Sequence, residues 1–328
     1  MSAPPADHQP AWVEREAYLM GTTLRVAIES ADRGAAIGLI ERVFDETRRL
    51  DAVLSTWRDD SEIAALNHAV PGRPVQLSAE LAGLLREAAV WSRATDGAFD
   101  PGIGPLMDAY DLRGAGRLPT AAERRRAVAA TGLGRFALAA DGSAARPDSI
   151  AWLDTGGFGK GAALRSAGRL LRAAGVRHAM LNFGGQVLAI GGDATGHPWP
   201  VPVAHPARRQ EPAAHLLVRD RSVSTSAQSE RGVTVNGARL GHIVDPRSGE
   251  PVAAWGSVTV VAEDALVADI LSTALLVLGP EAALRWADQR SDVGVLLLIV
   301  REEQVRPRYN RAMARYLVSD STFSTRSG

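Results

Sequence analysis

Two strand-like runs at residues 178–192 are separated only by Gly184 and Gly185, and this spacing limits the possible folds more than any other segment. A two-residue glycine turn joins neighbouring antiparallel strands, because glycine accepts the positive φ angles that tight hairpins need. Elsewhere, strand-like runs are joined by further hairpins or by single helices, without the regular strand–helix–strand alternation of a parallel sheet. The sequence therefore predicts an α+β fold with mixed, mainly antiparallel sheets and packed helices.

Composition excludes several classes of function. The 328-residue chain has no cysteine, which excludes disulfides, thiolate metal sites and cysteine nucleophiles. Its 37 basic and 37 acidic residues give a formal net charge of +0, and this balance argues against a nucleic-acid-binding surface. The apolar run at 293–300 is too short to span a bilayer. We therefore expect a globular protein without stable membrane insertion.

The ends of the sequence differ in composition from its middle. Residues 1–9 are polar and proline-rich, and they lack the apolar core of a secretory signal and a cysteine for lipid attachment. We expect a cytoplasmic location, or an extracytoplasmic one if the start codon is misassigned. We predict a disordered tail at 1–18, a single domain of two intimately packed lobes at 19–318, and a flexible tail at 319–328.

The densest glycine stretch, at residues 154–161, follows the apolar run 150–153 and precedes a helical pattern. This order predicts a strand, a turn and a helix start. Glycine there lets the backbone approach a ligand closely, and a helix start presents free N–H groups to an anion. Lys160, inside the stretch, is the only lysine of the chain, which indicates a functional position there; the alternative is chance. The stretch matches neither a P-loop nor a dinucleotide fingerprint.

A second constellation lies on the helix predicted after the strand 257–262. Asp269 and Thr273 are four residues apart on this otherwise apolar helix, so their oxygens share one face. A carboxylate in a buried helix is costly unless it is paired or bound to a metal, and oxygen ligands of this kind suit Mg²⁺. The alternative is a helix-capping role, for which Asp264 is better placed.

Residues 241–246 form a third constellation, in which His242 and Asp245 flank two β-branched residues before a turn. Histidine suits general acid–base catalysis near neutral pH. Asp245 either orients the histidine or opens the turn, since Asp-Pro is a common turn opener. Two weaker features are the turn at 96–101, where two acids bracket Phe99, and a tryptophan in a polar turn, Trp57, which could stack on a ring.

The order of these segments resembles the ApbE family of FAD:protein FMN transferases. The resemblance runs from about Met20 to Gly279, and the segments GHIVDPRSG and ADILSTAL carry it most specifically. It implies an α+β fold with FAD in a cleft between two lobes. It also implies a Mg²⁺-dependent reaction in which FAD is split at its diphosphate, FMN is esterified to a threonine or serine of a target protein, and AMP leaves.

The resemblance also assigns site residues by motif position. Asp269 and Thr273 would bind Mg²⁺ together with the main-chain carbonyl of Gly159, and His242, with Asp245 beside it, would act on the acceptor hydroxyl. The residues expected around FAD are Met20, Trp57, Ala98, Phe99, Asp100, Gly156, Lys160, Ala162 and Ile243.

This chain departs from the family pattern at four places. Trp57 stands where a tyrosine is usual, and Arg165 and Gln186 stand where acids are common. Residues 227–229, Ala-Gln-Ser, replace a more usual glycine–acid–tyrosine run. These departures affect the expected contacts with FAD and with the target protein more than the metal site or His242.

Two other functions use the same residues. An FAD diphosphatase would release FMN and AMP with water as the acceptor, and a non-catalytic protein would only bind FAD. The acceptor motif of the family resembles Asp/Ser-Gly-Ala-Thr/Ser. Residues 96–98 match its start, but Phe99 has no hydroxyl, so we expect the acceptor to be a separate protein.

Overall fold

The computed structural model describes residues 11–193, 195–229, 232–235, 237–302 and 304–318. Most of its strands belong to one central sheet, and the rest form small sheets around it. The strands are β1 (Ala11–Leu19), β2 (Thr22–Ser30), β3 (Val75–Gln76), β4 (Ala137–Leu138), β5 (Ser143–Ala145), β6 (Ala179–Phe183), β7 (Gln186–Ile190), β8 (Trp199–Ala204), β9 (Pro212–Val218), β10 (Ser222–Ala227), β11 (Gly232–Val235), β12 (Ala238–Gly241), β13 (Gly256–Ala262), β14 (Gly294–Arg301) and β15 (Gln304–Tyr309).

Three of the long helices begin after a residue whose side chain caps the helix. Asp32, Ser78 and Asp264 each precede a helix and accept a backbone N–H bond from its first turn. Three short 3-10 helices lie at Pro101–Ile103, Leu133–Arg135 and Met313–Arg315. The α-helices are α1 (Arg33–Leu54), α2 (Glu62–His68), α3 (Ala79–Ala94), α4 (Gly104–Ala109), α5 (Ala121–Ala130), α6 (Gly159–Ala173), α7 (Ala265–Leu278) and α8 (Pro280–Asp288).

The central sheet has eight strands in the order β1-β2-β6-β7-β10-β13-β14-β15, and every neighbouring pair is antiparallel. The β6–β7 hairpin is the one predicted from the glycine pair, with Gly184 at φ 57° and Gly185 at φ 93°. Both values are in the region that glycine adopts without strain. The predicted α+β fold with mainly antiparallel sheets is confirmed.

Both faces of the central sheet are covered, and successive side chains along a strand pack into apolar clusters on opposite faces. In β7, Leu188 and Ile190 join the main core with α1 and α6, while Val187 and Ala189 face the β8–β9 hairpin. In β14 the same alternation places every side chain from Val295 to Leu298 in an apolar cluster. A strand buried on both faces reads as a continuous apolar run, which explains the composition of residues 293–300. Among the described residues, no helix combines the length and apolar character needed to cross a membrane.

Two local predictions were wrong. Residues 11–18, which we assigned to a disordered tail, form most of β1, because their backbone pairs with β2 along its whole length. The run 150–153, predicted as a strand, belongs to no strand in the described structure. Instead, the Asn67 side chain accepts from Leu153 N–H and donates to Leu153 C=O, so one amide replaces a strand partner. Residues 1–10 and 319–328, where we predicted tails, lie outside the described residues.

Candidate functional site

The site is built around a close crossing of α6 and α7. A Cβ on Gly161 would lie 2.6 Å from the Ala265 carbonyl oxygen and 2.7 Å from Asp269 Cβ, distances that no side chain tolerates. Only glycine lets the two helices approach this closely. The crossing brings the predicted glycine turn against the face of α7 that carries Asp269.

Asp269 is the buried charge at this crossing, with 3% of its surface exposed. Its Oδ2 accepts the Gly161 N–H at 2.8 Å, and its Oδ1 lies 3.3 Å from the Lys160 ammonium. Burial raises the pKa of Asp269, and the charge of Lys160 and the Gly161 bond oppose that rise. The lone lysine of the chain therefore compensates the acid that we predicted to bind a metal. α6 has no side-chain cap at its start, so Asp269 partly serves that end.

Thr273 lies one turn beyond Asp269, at the same helix face. Its methyl group is 3.9 Å from where a Cβ on Gly157 would lie, so the threonine borders the glycine turn. Serine hydroxyls from β10 reach the same turn of α7: Ser226 is 2.8 Å from Ser272 and 3.4 Å from Thr273. The hydroxyl-rich strand and the helix together make a polar, oxygen-lined wall.

The glycine turn is held by one local hydrogen bond and by contacts with distant segments. Thr155 donates its hydroxyl to the Leu54 carbonyl, and Gly156 N–H donates to Asp154 Oδ1 at 2.7 Å. The Met20 methyl group lies 3.5 Å from where a Cβ on Gly159 would be, so the β1–β2 turn meets the start of α6. Met20 itself has a φ of 47°, in the left-handed region. These contacts bring Met20, Gly156 and Gly159 into one place, as the predicted site requires.

The segment Ala98-Phe99-Asp100 packs against the glycine turn through Phe99. Phe99 lies edge-on to Phe158 at 6.3 Å and comes within 3.2 Å of a Cβ position on Gly157. Asp100 accepts the backbone N–H groups of Gly102 and Leu133 and the Ser92 hydroxyl, so its predicted FAD contact competes with three internal bonds. Burial raises the pKa of Asp100 against these bonds. Ala98, Phe99 and Ala162 are all buried.

Trp57 lies on the surface with 73% of its area exposed, and one of its faces is covered by an arginine. The Arg113 guanidinium stands 4.7 Å from the Trp57 ring centre and 4.3 Å from that of Trp152. The same guanidinium donates to the carbonyl and hydroxyl oxygens of Thr56 and to Asp154. Arg113 thus connects the tryptophan turn to the glycine turn.

We missed Arg113 in the sequence because no local pattern marks it. It lies 57 residues from Thr56 and 41 from Asp154, so neither partner is close to it in the sequence. Trp152 is similarly placed by a distant glycine: a Cβ on Gly104 would lie 2.3 Å from its ring. The contact between the Trp152 ring and Gly104 depends on the tertiary structure, so the sequence alone does not show it.

The His242 loop begins where the β11–β12 hairpin ends, and His242 is half-buried. Asp245 accepts the Arg247 backbone N–H at 2.9 Å and pairs with the Arg247 guanidinium at 2.8 Å. These contacts favour the turn interpretation of Asp245 over the catalytic one. Arg247 Cγ lies 3.5 Å from a Cβ position on Gly97, which joins this loop to the 96–101 turn. Ile243 packs in the same apolar cluster as Ala98.

Two departures from the family pattern meet at the start of α7. Arg165 pairs with Glu87 and with Asp264, the N-cap of α7. Gln186 donates its amide N–H to the Ala265 carbonyl at 2.7 Å. Its Oε1 has no hydrogen-bond partner among the described residues. Both residues therefore hold the N-terminal end of α7, the helix that carries Asp269.

The chemistry of the site follows from its donors. Within the described ranges, no group of three or more histidine, aspartate or glutamate side chains could hold a metal ion. What the site offers is one buried carboxylate, one threonine hydroxyl and the backbone of a glycine turn. Such a sparse, hard-oxygen set fits Mg²⁺ that also binds water and phosphate oxygens, and it does not fit a closed structural site.

Comparison with known proteins agrees with this arrangement. The chain is 31% identical over 279 residues to an FAD:protein FMN transferase of Klebsiella pneumoniae (strain 342), covering 80% of this chain and 78% of the relative. It is 29% identical over 325 residues to the enzyme of that name from Salmonella typhimurium, covering 95% and 91%. The ApbE protein of Thermotoga maritima has a similar structure, with a TM-score of 0.84 and 25% identity over 93% of this chain and 98% of that one. The model of the ApbE family matches residues 20–297, so this chain belongs to the ApbE family, as its sequence predicted.

Proposed function

We propose that this protein is a Mg²⁺-dependent FAD:protein FMN transferase. In the reaction, the hydroxyl oxygen of a threonine or serine on an acceptor protein bonds to the phosphorus of the FMN half of FAD. The bond from that phosphorus to the bridging oxygen breaks, AMP leaves with the electron pair, and the hydroxyl proton is removed. The relatives named for this activity support the proposal.

The observation that carries the proposal is the buried carboxylate of Asp269 beside the Thr273 hydroxyl and the glycine turn. Its raised pKa means that the folded protein disfavours the ionised form in the absence of a further cation. A single lysine contact at 3.3 Å leaves this acid with capacity for another positive partner. Asp269, Thr273 and the Gly159 carbonyl are the residues that would hold Mg²⁺.

Bound Mg²⁺ would neutralise charge on the FAD diphosphate and on the departing AMP. The chain's own residues have separate tasks. Lys160 holds Asp269 in place and, at 30% exposure of its side chain, can also face a phosphate. His242 would take the proton from the acceptor hydroxyl as the bond to phosphorus forms.

Trp57 would supply a surface for one ring of FAD. Its inner face is covered by Arg113 and its outer face is exposed, so a ring can stack only on the outer side. The tryptophan replaces a tyrosine of the family pattern, which keeps the stacking surface and removes a phenolic hydrogen bond.

Incubation with FAD, MgCl₂ and a peptide bearing Asp-Gly-Ala-Thr tests the proposal. Mass spectrometry should show the acceptor gaining FMN and an equal amount of AMP. Free FMN and AMP without an adduct would indicate a diphosphatase, and intact FAD would indicate binding alone. EDTA should stop the reaction.

His242→Ala is expected to slow transfer by about 10²-fold or more, the usual contribution of a general base. FAD affinity should stay within a few-fold of wild type, because the metal site and the Trp57 surface are untouched. His215→Ala is the matched control, since His215 is also half-buried but lies on β9, against the opposite face of the sheet. Equal rates for both variants would remove His242 from the mechanism.

Arg113→Met is expected to raise the Kd for FAD about tenfold, because Trp57 and the glycine turn lose their common anchor. A tenfold change is about 1.4 kcal/mol, within the range of a cation–π contact and its hydrogen bonds. Fluorescence titration with FAD, without acceptor, measures this effect. The control is Arg290→Met, which removes an arginine standing 3.5 Å over Trp286. An unchanged Kd for Arg113→Met would contradict the anchoring role.

A further inference from the structure

The Gln228 side chain makes a three-bonded clamp on the loop that carries His242. Its amide nitrogen donates to the Ile243 carbonyl at 2.6 Å and to the Val252 carbonyl at 2.8 Å. Its amide oxygen accepts the Ile243 N–H at 3.1 Å. With 4% of its surface exposed, Gln228 is buried, so these bonds form away from water. One side chain thus fixes both backbone groups of the residue that follows His242.

The residue before His242 is fitted to the same amide. A Cβ on Gly241 would lie 2.2 Å from Gln228 Oε1 and 2.4 Å from its Cδ, so any other residue would push the amide away. His242 therefore lies between a glycine that admits Gln228 and an isoleucine that is bonded to it.

The clamp also closes the loop beyond the histidine. Val252 N–H donates to the Ile243 carbonyl at 3.0 Å, and Asp245 N–H donates to the Glu250 carbonyl at 2.9 Å. Gln228 bonds both strands of this narrow loop at its open end. Because the loop is short, fixing its open end sets the direction in which His242 leaves the backbone.

We infer that Gln228 is a positioning residue for His242, acting through the Ile243 backbone. The inference rests on the proposed role of His242 as the base. In this chain the position is built for an amide, unlike the acid of the usual family pattern, since it needs two N–H donors toward carbonyls and one acceptor toward an N–H. A glutamate of the same shape accepts from Ile243 N–H but places an oxygen against two carbonyl oxygens.

Gln228→Glu is expected to lower kcat by about 10–100-fold, the scale on which a misplaced catalytic group reduces rate, while the Kd for FAD stays within twofold. Asn310→Asp is the matched control. Asn310 is a buried amide that donates to the Ala287 and Val293 carbonyls and accepts the Val295 N–H. It follows β15, which is an edge strand of the central sheet. Both variants should lose thermal stability, and only Gln228→Glu should lose kcat at a temperature where both are folded.

A double-mutant cycle with His242→Ala separates positioning from general damage. If Gln228 acts through His242, Gln228→Glu has no further effect on kcat once His242 is alanine. A full additional loss in the His242→Ala background would overturn the inference and leave the proposed function standing. Normal kcat in His242→Ala itself would overturn the inference together with the proposed role of His242 as the base, and would leave the transferase activity standing.

Gly241→Ala provides a second route if Gln228→Glu does not fold. The added methyl group displaces the amide without changing its charge, so kcat should fall and the fall should again vanish in the His242→Ala background. Wild-type kcat in Gly241→Ala would contradict the inference.

Discussion

Asp269→Asn is expected to abolish FMN transfer, by more than about 10³-fold, while the protein remains folded. Asparagine keeps an oxygen that can accept the Gly161 N–H, but it removes the single acidic oxygen pair of the proposed Mg²⁺ site. Because Thr273 and a main-chain carbonyl are neutral, they cannot hold the ion without it. Transfer assays across a range of MgCl₂ concentrations measure the loss, and added Mg²⁺ should not restore the rate.

Although Asp269→Asn should abolish transfer, it should not destabilise the metal-free protein. Burial raises the pKa of Asp269, so its ionised form at neutral pH costs free energy in the folded state. A group with a raised folded pKa stabilises the fold most at low pH and loses that contribution as pH rises through the folded pKa. Metal-free Asp269→Asn should therefore melt at or above the wild-type temperature at pH 7–8, and its advantage should shrink toward pH 4.

Asp264→Asn is the control for removing one charge from α7. Asparagine caps helices about as well as aspartate, so the helix start is kept. Its transfer rate should stay within about threefold of wild type, if the loss in Asp269→Asn reflects the metal site. Substantial transfer by Asp269→Asn would contradict both the metal assignment and the proposed mechanism.

Gly161→Ala is expected to be the most destabilising single-methyl change in the site. The new Cβ would meet the Ala265 carbonyl oxygen and Asp269 Cβ, so α6 and α7 must move apart. Overpacking of this kind costs about 1–3 kcal/mol, and it also separates Lys160 from Asp269. We expect a lower melting temperature together with a loss of transfer, since one displacement causes both.

Gly38→Ala is the matched control, because Gly38 lies in α1 and its Cβ would meet nothing within 4 Å. Alanine in an open helical position should stabilise the protein by about 0.5–1 kcal/mol. Denaturation of the two variants side by side measures both signs. A Gly161→Ala protein as stable and active as wild type would show that the helix crossing is not tight.

Local patterns predicted those parts of the fold whose bonding is local. The β6–β7 hairpin follows from two glycines in sequence, and α7 follows from its apolar run and from Asp264 at its start. Asp269 and Thr273 were predicted as site residues because a spacing of four residues places their oxygens on one helix face. Each of these inferences needs only neighbours within a few residues.

Long-range bonds account for what was missed. Residues 150–153 read as a strand because they are apolar, but the partner of their backbone is the Asn67 side chain, 86 residues away from Leu153. Residues 11–18 were assigned to the tail that begins with the polar residues 1–9, but β2 supplies their hydrogen bonds. The composition of a segment indicates whether its side chains are buried, but it does not identify which group forms hydrogen bonds with its backbone.

The sequence by itself determined the fold class, the family and the chemical type of each site residue, since these depend on residue identity and order. Only the tertiary structure decided which of those residues meet. In the folded chain Lys160 contacts Asp269, and Asp245 pairs with Arg247. Arg113 packs over Trp57, and Gln228 bonds to the residue after His242. The physical reason is that such contacts depend on how closely helices and loops approach, and that approach is set by distant glycines and by packing throughout the core.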